Sequence, residues 1–387
     1  MGMKTLKHLK LGMAAALVAL AGVCFAAAPS FEKAEWGVTA RGEKASLYTL
    51  KGKGGLEIVV SDYGGRLVKC LAAGRDGKVA DVCLGWNTVG EYERFGCSMG
   101  TLVGRFGNRI ADGRFALDGK TVQLPINEGA APRHCNLHSG PDGWDTWVWQ
   151  AAPFAKGDVV GIVLTRLSKD GESGFPGNVN AKVTYSVLPD NVWRLEYEMK
   201  TDAPTVLNPT HHVYWNLGGE ASGDILGQWL TIFADQYTMT TPGLIPTQHA
   251  NVKGTGFDFT ESRPFGHWKT RMETDKSLAP TGNWYDHNFV LRGKNGEFRQ
   301  AVELFDPPSG RVLEIWTTEP GLQMYGSQDF SEKYPAKEAG KRLVKYAGFV
   351  LETQHFPDSP NRPDFPTTVL RPGETFRSKT EYRFKTR

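Results

Sequence analysis

Beyond residue 28 the chain has no long run of helical period; it repeats strand-length apolar or alternating segments closed by turn residues. VVGIVLTRL, VNAKVTYSVL, VWRLEYEMK and RVLEIWTTE all follow this habit. A period of two half-buries a strand, whereas an amphipathic helix needs a period near 3.6. In RFALDGKTVQLP (Arg114–Pro125), Asp118-Gly119 separates two alternating segments, the pattern of a tight hairpin. In LEIVVSDYGGRLVKCLAA (Leu56–Ala73), Tyr63-Gly64-Gly65 breaks two apolar runs in the same way. These segments predict an all-β chain folded as a large antiparallel β-sandwich. No linker rich in Pro, Gly or Ser divides residues 29–387, so one domain with a sizeable core is expected.

The first 28 residues differ in kind. Lys4, Lys7 and Lys10 precede an apolar run from Leu11 to Ala27 that ends in small residues. This is the pattern of a secretory signal peptide over residues 1–28, cleaved near Ala26–Ala28, and it predicts a periplasmic or secreted protein. The run is shorter than the ~20 residues of a membrane-spanning helix. Cys24 offers a lipid-attachment alternative, weakened by Val23, which is bulkier than the small residue such processing prefers.

Charge narrows the partners. The 45 basic and 42 acidic residues are interleaved and leave a formal charge of +3. No basic stripe marks nucleic acid or an anionic membrane surface, so the expected partner is a small neutral molecule. Export would bring Cys70, Cys83, Cys97 and Cys135 into an oxidising compartment, where three pairings are open to them. A core this large needs no staples, and free buried thiols are the expectation.

Several stretches carry chemistry. NPTHHVYWNL (Asn208–Leu217) sets two histidines among aromatic rings and amides. Adjacent residues of a strand face opposite ways, so only one of His211 and His212 can enter a given pocket. TLVGRFGNRIADGRF (Thr101–Phe115) flanks Arg105-Phe106 with Gly104 and Gly107, then offers Asn108 and Arg109 as donors; no lysine follows the glycines, which excludes a phosphate loop. RHCNLHSGPDGWDTWVW (Arg133–Trp149) groups His134, Cys135 and His138, but a zinc site needs more convergent ligands and no paired cysteine motif occurs. The tryptophans of that stretch are expected in the core. Asp286 stands in NWYDHNFVL, and Gln323 and Tyr325 in EPGLQMYGSQDF. In GFVLETQHFPDSPNRPDFP (Gly348–Pro366), Glu352 follows the apolar run Phe349–Leu351. A carboxylate at such a place costs burial energy unless it is paired or neutral, which suits a catalytic base.

Taken together GRFGNRI, NLHSG, NPTHHVYWNL, YDHNF, TTEPGLQMY and GFVLETQHFPDSPN resemble the aldose 1-epimerases, or galactose mutarotases, in the family's order from Thr101 to Asn361. The resemblance implies a β-sandwich of the galactose mutarotase type and interconversion of the α and β anomers of free aldohexoses such as glucose or galactose. It implies Glu352 as general base, His212 as general acid and His138 as an aid at the ring oxygen. Asn108, Arg109, Asp286 and Gln323 would orient hydroxyls. No cofactor and no metal are implied, the ligand is a free aldose, and a monomer or weak homodimer is expected. His212 is preferred to His211 by alignment on Thr210, Tyr214, Asn216 and Leu217. Trp215 stands where a Phe is common in the family and Glu319 where a Gln is common, departures that bear on the pocket's fine shape and sugar preference. Competing readings are an epimerase of a related sugar or hexose 6-phosphate, a hydrolase using paired carboxylates, and a noncatalytic carbohydrate-binding protein, which has no use for a matched acid and base.

Overall fold

Alternation along the strands becomes layering in the computed structural model, which describes residues 1–2, 28–272, 274–281 and 285–387. The apolar run of the expected leader and Cys24 lie outside the described residues. Strand Val179–Leu188 is typical: Val179, Ala181, Val183, Tyr185 and Val187 are buried while Asn180 and Lys182 are exposed. One-sided burial of this kind fixes register, because a one-residue slip would turn every apolar side chain to water.

Three antiparallel sheets dominate. Strands Ser30–Val38, Lys44–Lys51, Glu57–Ser61, Leu67–Ala73 and Val79–Asp81 form a meander. A nine-stranded sheet runs from Gln150–Lys156 to Arg263–Pro264, and the C-terminal strand Phe376–Thr386 lies inside it, between Val192–Thr201 and Arg311–Thr317. The third sheet has six strands in the order Tyr214–Trp215, Phe349–Gln354, Gly321–Tyr325, Asp286–Leu291, Ala234–Thr240 and Pro246–Asn251. One apolar cluster, with members from Tyr48 to Phe384, draws on all three. Trp144 and Trp149 belong to it and meet edge to face with centroids 5.5 Å apart, as expected of core tryptophans. Trp147 lies outside it, between the guanidinium groups of Arg41 and Arg166.

The predicted hairpin forms: strand Arg114–Leu117 pairs with Lys120–Gln123 around Asp118 and Gly119, both at positive φ as a two-residue type I′ turn requires. Cys70, Cys83, Cys97 and Cys135 are all free, and Cys97 alone of the four is only partly buried.

Candidate active site

The six-stranded sheet gathers the polar residues by register. Glu352 pairs with Gln323 across one strand boundary, Gln323 with Asn288 across the next, and Asp286 with Tyr325 two residues along. Residues directly opposite share a face, so these side chains form one polar patch on the sheet. Above it lies a cavity of about 250 Å³ lined by Glu352, Asp286, His212, His138, Arg109 and Asn108, among others. A larger depression of about 550 Å³ beside Asp235 and Arg292 is of another kind, with those two charges already paired at 2.6 Å.

Glu352 is 2 % exposed, and its Oε1 is buried with no partner among the described residues. Burial pushes its pKa well above the ordinary carboxylate range; the nearby Asp286 adds to this and Arg109 opposes it. Burial also pulls His212 down to about 4, against a smaller opposing pull from Asp286. His138 is lowered too, by burial first and then by His212 and Arg109. One donor or acceptor atom from each of these three residues lies within 4.8 Å of the others. The His138 and His212 rings meet edge to face with centroids 5.4 Å apart.

That spacing resembles a metal site, but the hydrogen bonding does not fit one. The backbone N–H of Asn108 donates to His138 Nδ1 at 3.1 Å, so the proton of the neutral ring sits on Nε2. A cation would need the lone pair that this proton occupies. His138 is instead a standing N–H donor.

His211 and His212 divide as alternation requires. His212 enters the cavity. The His211 Nε2 meets the Tyr185 hydroxyl at 3.0 Å, and its ring packs on Trp193. Burial there lowers its pKa to about 3.

Arg109 anchors the adjacent wall. Its Nε donates to Glu128 at 2.8 Å and its Nη1 to Asp286 at 3.3 Å. Burial opposes the charge, yet Asp286 and Glu128 outweigh burial and hold the guanidinium ionised. Asp286 Oδ1 accepts from Gln323 Nε2 at 2.6 Å. Asn108 sits at φ 63 and accepts the Arg109 backbone N–H on its Oδ1 at 2.9 Å, which turns the loop toward the cavity.

Gln323 pairs with Glu352 in the sheet, its Nε2 orients the Asp286 carboxylate, and its Oε1 is buried with no partner among the described residues. Two expectations need correction. Trp215 does not shape the pocket, because it points away from Tyr214 into the core, against Trp193 and Tyr382. Glu319 is also elsewhere: it accepts from the His355 ring at 2.7 Å.

Sequence reasoning missed Glu128, whose second oxygen accepts from Arg133 at 2.8 Å. Burial raises its pKa, and Arg109 with Arg133 more than offsets this, leaving it below the ordinary value. The need of a buried arginine for a nearby carboxylate was the available clue.

The family model for aldose 1-epimerase matches residues 46–383. Galactose mutarotase of Rattus norvegicus is 35% identical over 331 residues, 85% of this chain and 91% of its own length. Aldose 1-epimerase of Escherichia coli (strain K12) is 34% identical over 346 residues, 89% of this chain and 96% of its own. The aldose epimerase homologue from C. elegans superposes with a TM-score of 0.77 at 26% identity, over 93% of this chain and 99% of that one. For galactose 1-epimerase from Lactobacillus acidophilus NCFM the TM-score is 0.79 at 24% identity, again over 93% and 99%, a likeness of fold. With the resembling motifs brought together around one cavity and the match running through nearly all of the sheets, the chain belongs to the aldose 1-epimerase family.

Proposed function

We propose that this aldose 1-epimerase exchanges the anomers of a neutral, free aldohexose such as glucose or galactose, with Glu352 and His212 as its base and acid. Ionised Glu352 takes the proton of the anomeric hydroxyl while His212 protonates the ring oxygen, and the C1–O5 bond opens to the aldehyde. Rotation about C1–C2 and reclosure with the proton transfers reversed give the other anomer. The observation that carries this reading is the convergence of Glu352, His212 and His138 within 4.8 Å in one buried cavity.

The electrostatics fit the roles. Burial makes Glu352 a stronger base once ionised and His212 a stronger acid once protonated. Asp286 favours the protonated form of His212; at Glu352 it opposes ionisation more than Arg109 favours it, which adds to the strength of that carboxylate as a base. His138 donates Nε2–H toward the ring oxygen, and Arg109, Asn108 and Asp286 orient hydroxyls, with Gln323 acting through Asp286.

The hexose 6-phosphate alternative is disfavoured by charge. The two cationic side chains of the cavity, Arg109 and Arg133, are both paired with Glu128, and Arg109 also with Asp286. Asp329 adds another carboxylate to the lining. Polarimetry on fresh α-glucose and α-galactose tests the reading: faster decay of rotation than the spontaneous reaction supports it, and the spontaneous rate alone refutes it.

We also infer export, from Lys4, Lys7 and Lys10 ahead of the apolar run Leu11–Ala27. Mass spectrometry of the native protein should find a mature terminus near Ala27–Pro29. An intact Met1 in soluble material would contradict export. The same preparation, run on a sizing column, is expected to elute as a monomer or weak homodimer.

A further inference from the structure

The strands carrying Gln323 and Glu352 are antiparallel neighbours, yet residues 326–348 join them instead of a tight turn. Connections this long without regular structure are uncommon in compact domains and usually carry function. This one is pinned along its length. The Ser327 Oγ accepts the Gly348 N–H at 2.9 Å, and Phe330 stacks on Tyr214 with centroids 5.0 Å apart. The buried Lys337 ammonium pairs with Asp81 at 2.7 Å and donates to the carbonyls of Val68 and Cys83, each at 2.7 Å. The connection is a fixed wall.

Beside the first pin it places Gln328 and Asp329 in the lining of the catalytic cavity. Asp329 is oriented by the Tyr325 hydroxyl, which donates to it at 3.2 Å. Gln328 is different: it is 8 % exposed, and its Oε1 is buried with no partner among the described residues. An amide oxygen kept from water without a partner is costly, and a hydroxyl entering the cavity beside Gln328 would relieve that cost.

We propose that Gln328 is a substrate-binding residue that reads a hydroxyl remote from the anomeric carbon and so helps set which aldoses the enzyme prefers. This rests on the epimerase reading above and names the part of that site that selects the sugar. Every aldopyranose presents the same anomeric hydroxyl and ring oxygen to Glu352 and His212, so selectivity has to come from other positions. The Asp286 carboxylate is already engaged by Arg109 and Gln323 on both oxygens. The Gln328 amide has an open acceptor and an NH2 donor, and a sugar hydroxyl matches both. A site built around such a group discriminates against the analogue lacking the hydroxyl, because the amide is then left buried and unpaired.

The test is polarimetric kinetics of the wild-type protein and Gln328→Leu on glucose, galactose, their 3-, 4- and 6-deoxy derivatives, and xylose. For the preferred hexose the variant should raise KM about three- to tenfold, the worth of one neutral hydrogen bond, with kcat within about twofold. At least one deoxy sugar should show the same KM with both proteins, identifying the hydroxyl that Gln328 reads. Unchanged KM for every sugar, or an equal rise for all of them, would overturn the proposal in favour of a structural role. Gln328→Met keeps the length of the side chain and removes both donor and acceptor; should the leucine variant fold poorly by circular dichroism, this variant must show the same sugar-selective pattern. Wild-type activity tests the epimerase reading separately, and if it were absent, titration calorimetry with the same sugars would carry the comparison.

Discussion

The backbone N–H of Asn108 donates to Nδ1 of His138 at 3.1 Å, and this bond decides which ring nitrogen holds the proton. A backbone amide can only donate, so Nδ1 accepts and Nε2 carries the hydrogen. The two cavity histidines therefore differ in kind. His138 gives a hydrogen bond, whereas the Nδ1 of His212 is buried with no partner among the described residues, which suits the proton-transfer role we propose for that ring.

His138→Gln keeps an N–H near the position of Nε2 and should lower kcat/KM about tenfold, in line with weakening one positioned donor. His138→Phe, which removes the donor, should cost about 100-fold or more. If His138→Gln were as damaging as His212→Asn, the division of roles between the two rings would be wrong.

Arg109 is gripped by Glu128 through Nε and by Asp286 through Nη1. A lysine is a point charge that cannot span both carboxylates in that geometry. Arg109→Lys should leave the fold intact by circular dichroism and lower kcat/KM about tenfold or more, and Glu128→Gln should lower it by less. Because both changes loosen one guanidinium, the double variant should be little worse than Arg109→Lys alone. Additive losses in steady-state polarimetry would show that Glu128 acts independently of Arg109.

Burial of Glu352 has a thermodynamic sign that can be read without any sugar. Its folded pKa is raised, so the folded state holds this proton more tightly than the unfolded chain does. Its contribution is fully present below the unfolded value and is lost as pH rises through the folded one. Glu352→Gln never ionises and escapes that loss. Thermal melts should place the variant close to wild type near pH 4.5 and a few degrees above it at alkaline pH. A variant less stable than wild type at high pH would mean that the carboxylate is favourably paired in the fold.

Much of this was legible in the sequence, for identifiable reasons. Asp118-Gly119 announced its hairpin because turn chemistry is local, and strand alternation separated His211 from His212 because the period of two is local as well. Glu352 stood out because a carboxylate behind Phe349–Leu351 is out of place energetically. Glu128 and Gln328 were not legible. Each sits in an irregular loop with unremarkable neighbours, and its meaning comes from contacts made far along the chain, Glu128 with Arg109 and Gln328 with the cavity. Trp215 and Glu319 show the reverse error, in which departure from a family pattern was read as a change at the pocket. Alternation from Tyr214 already placed Trp215 on the other face.

The most direct measurement is the rate of anomer exchange by Glu352→Gln, His212→Asn, His211→Asn and the Glu352→Gln/His212→Asn double variant, each corrected for the spontaneous reaction. Positioned acid or base catalysis is worth about 10² to 10⁴ in rate, so the first two should each fall at least about 100-fold and His211→Asn much less. The double variant should be little worse than either single one, since both groups serve one cycle. Near wild-type exchange by Glu352→Gln, together with loss of activity in His211→Asn, would contradict both the base and the choice of histidine.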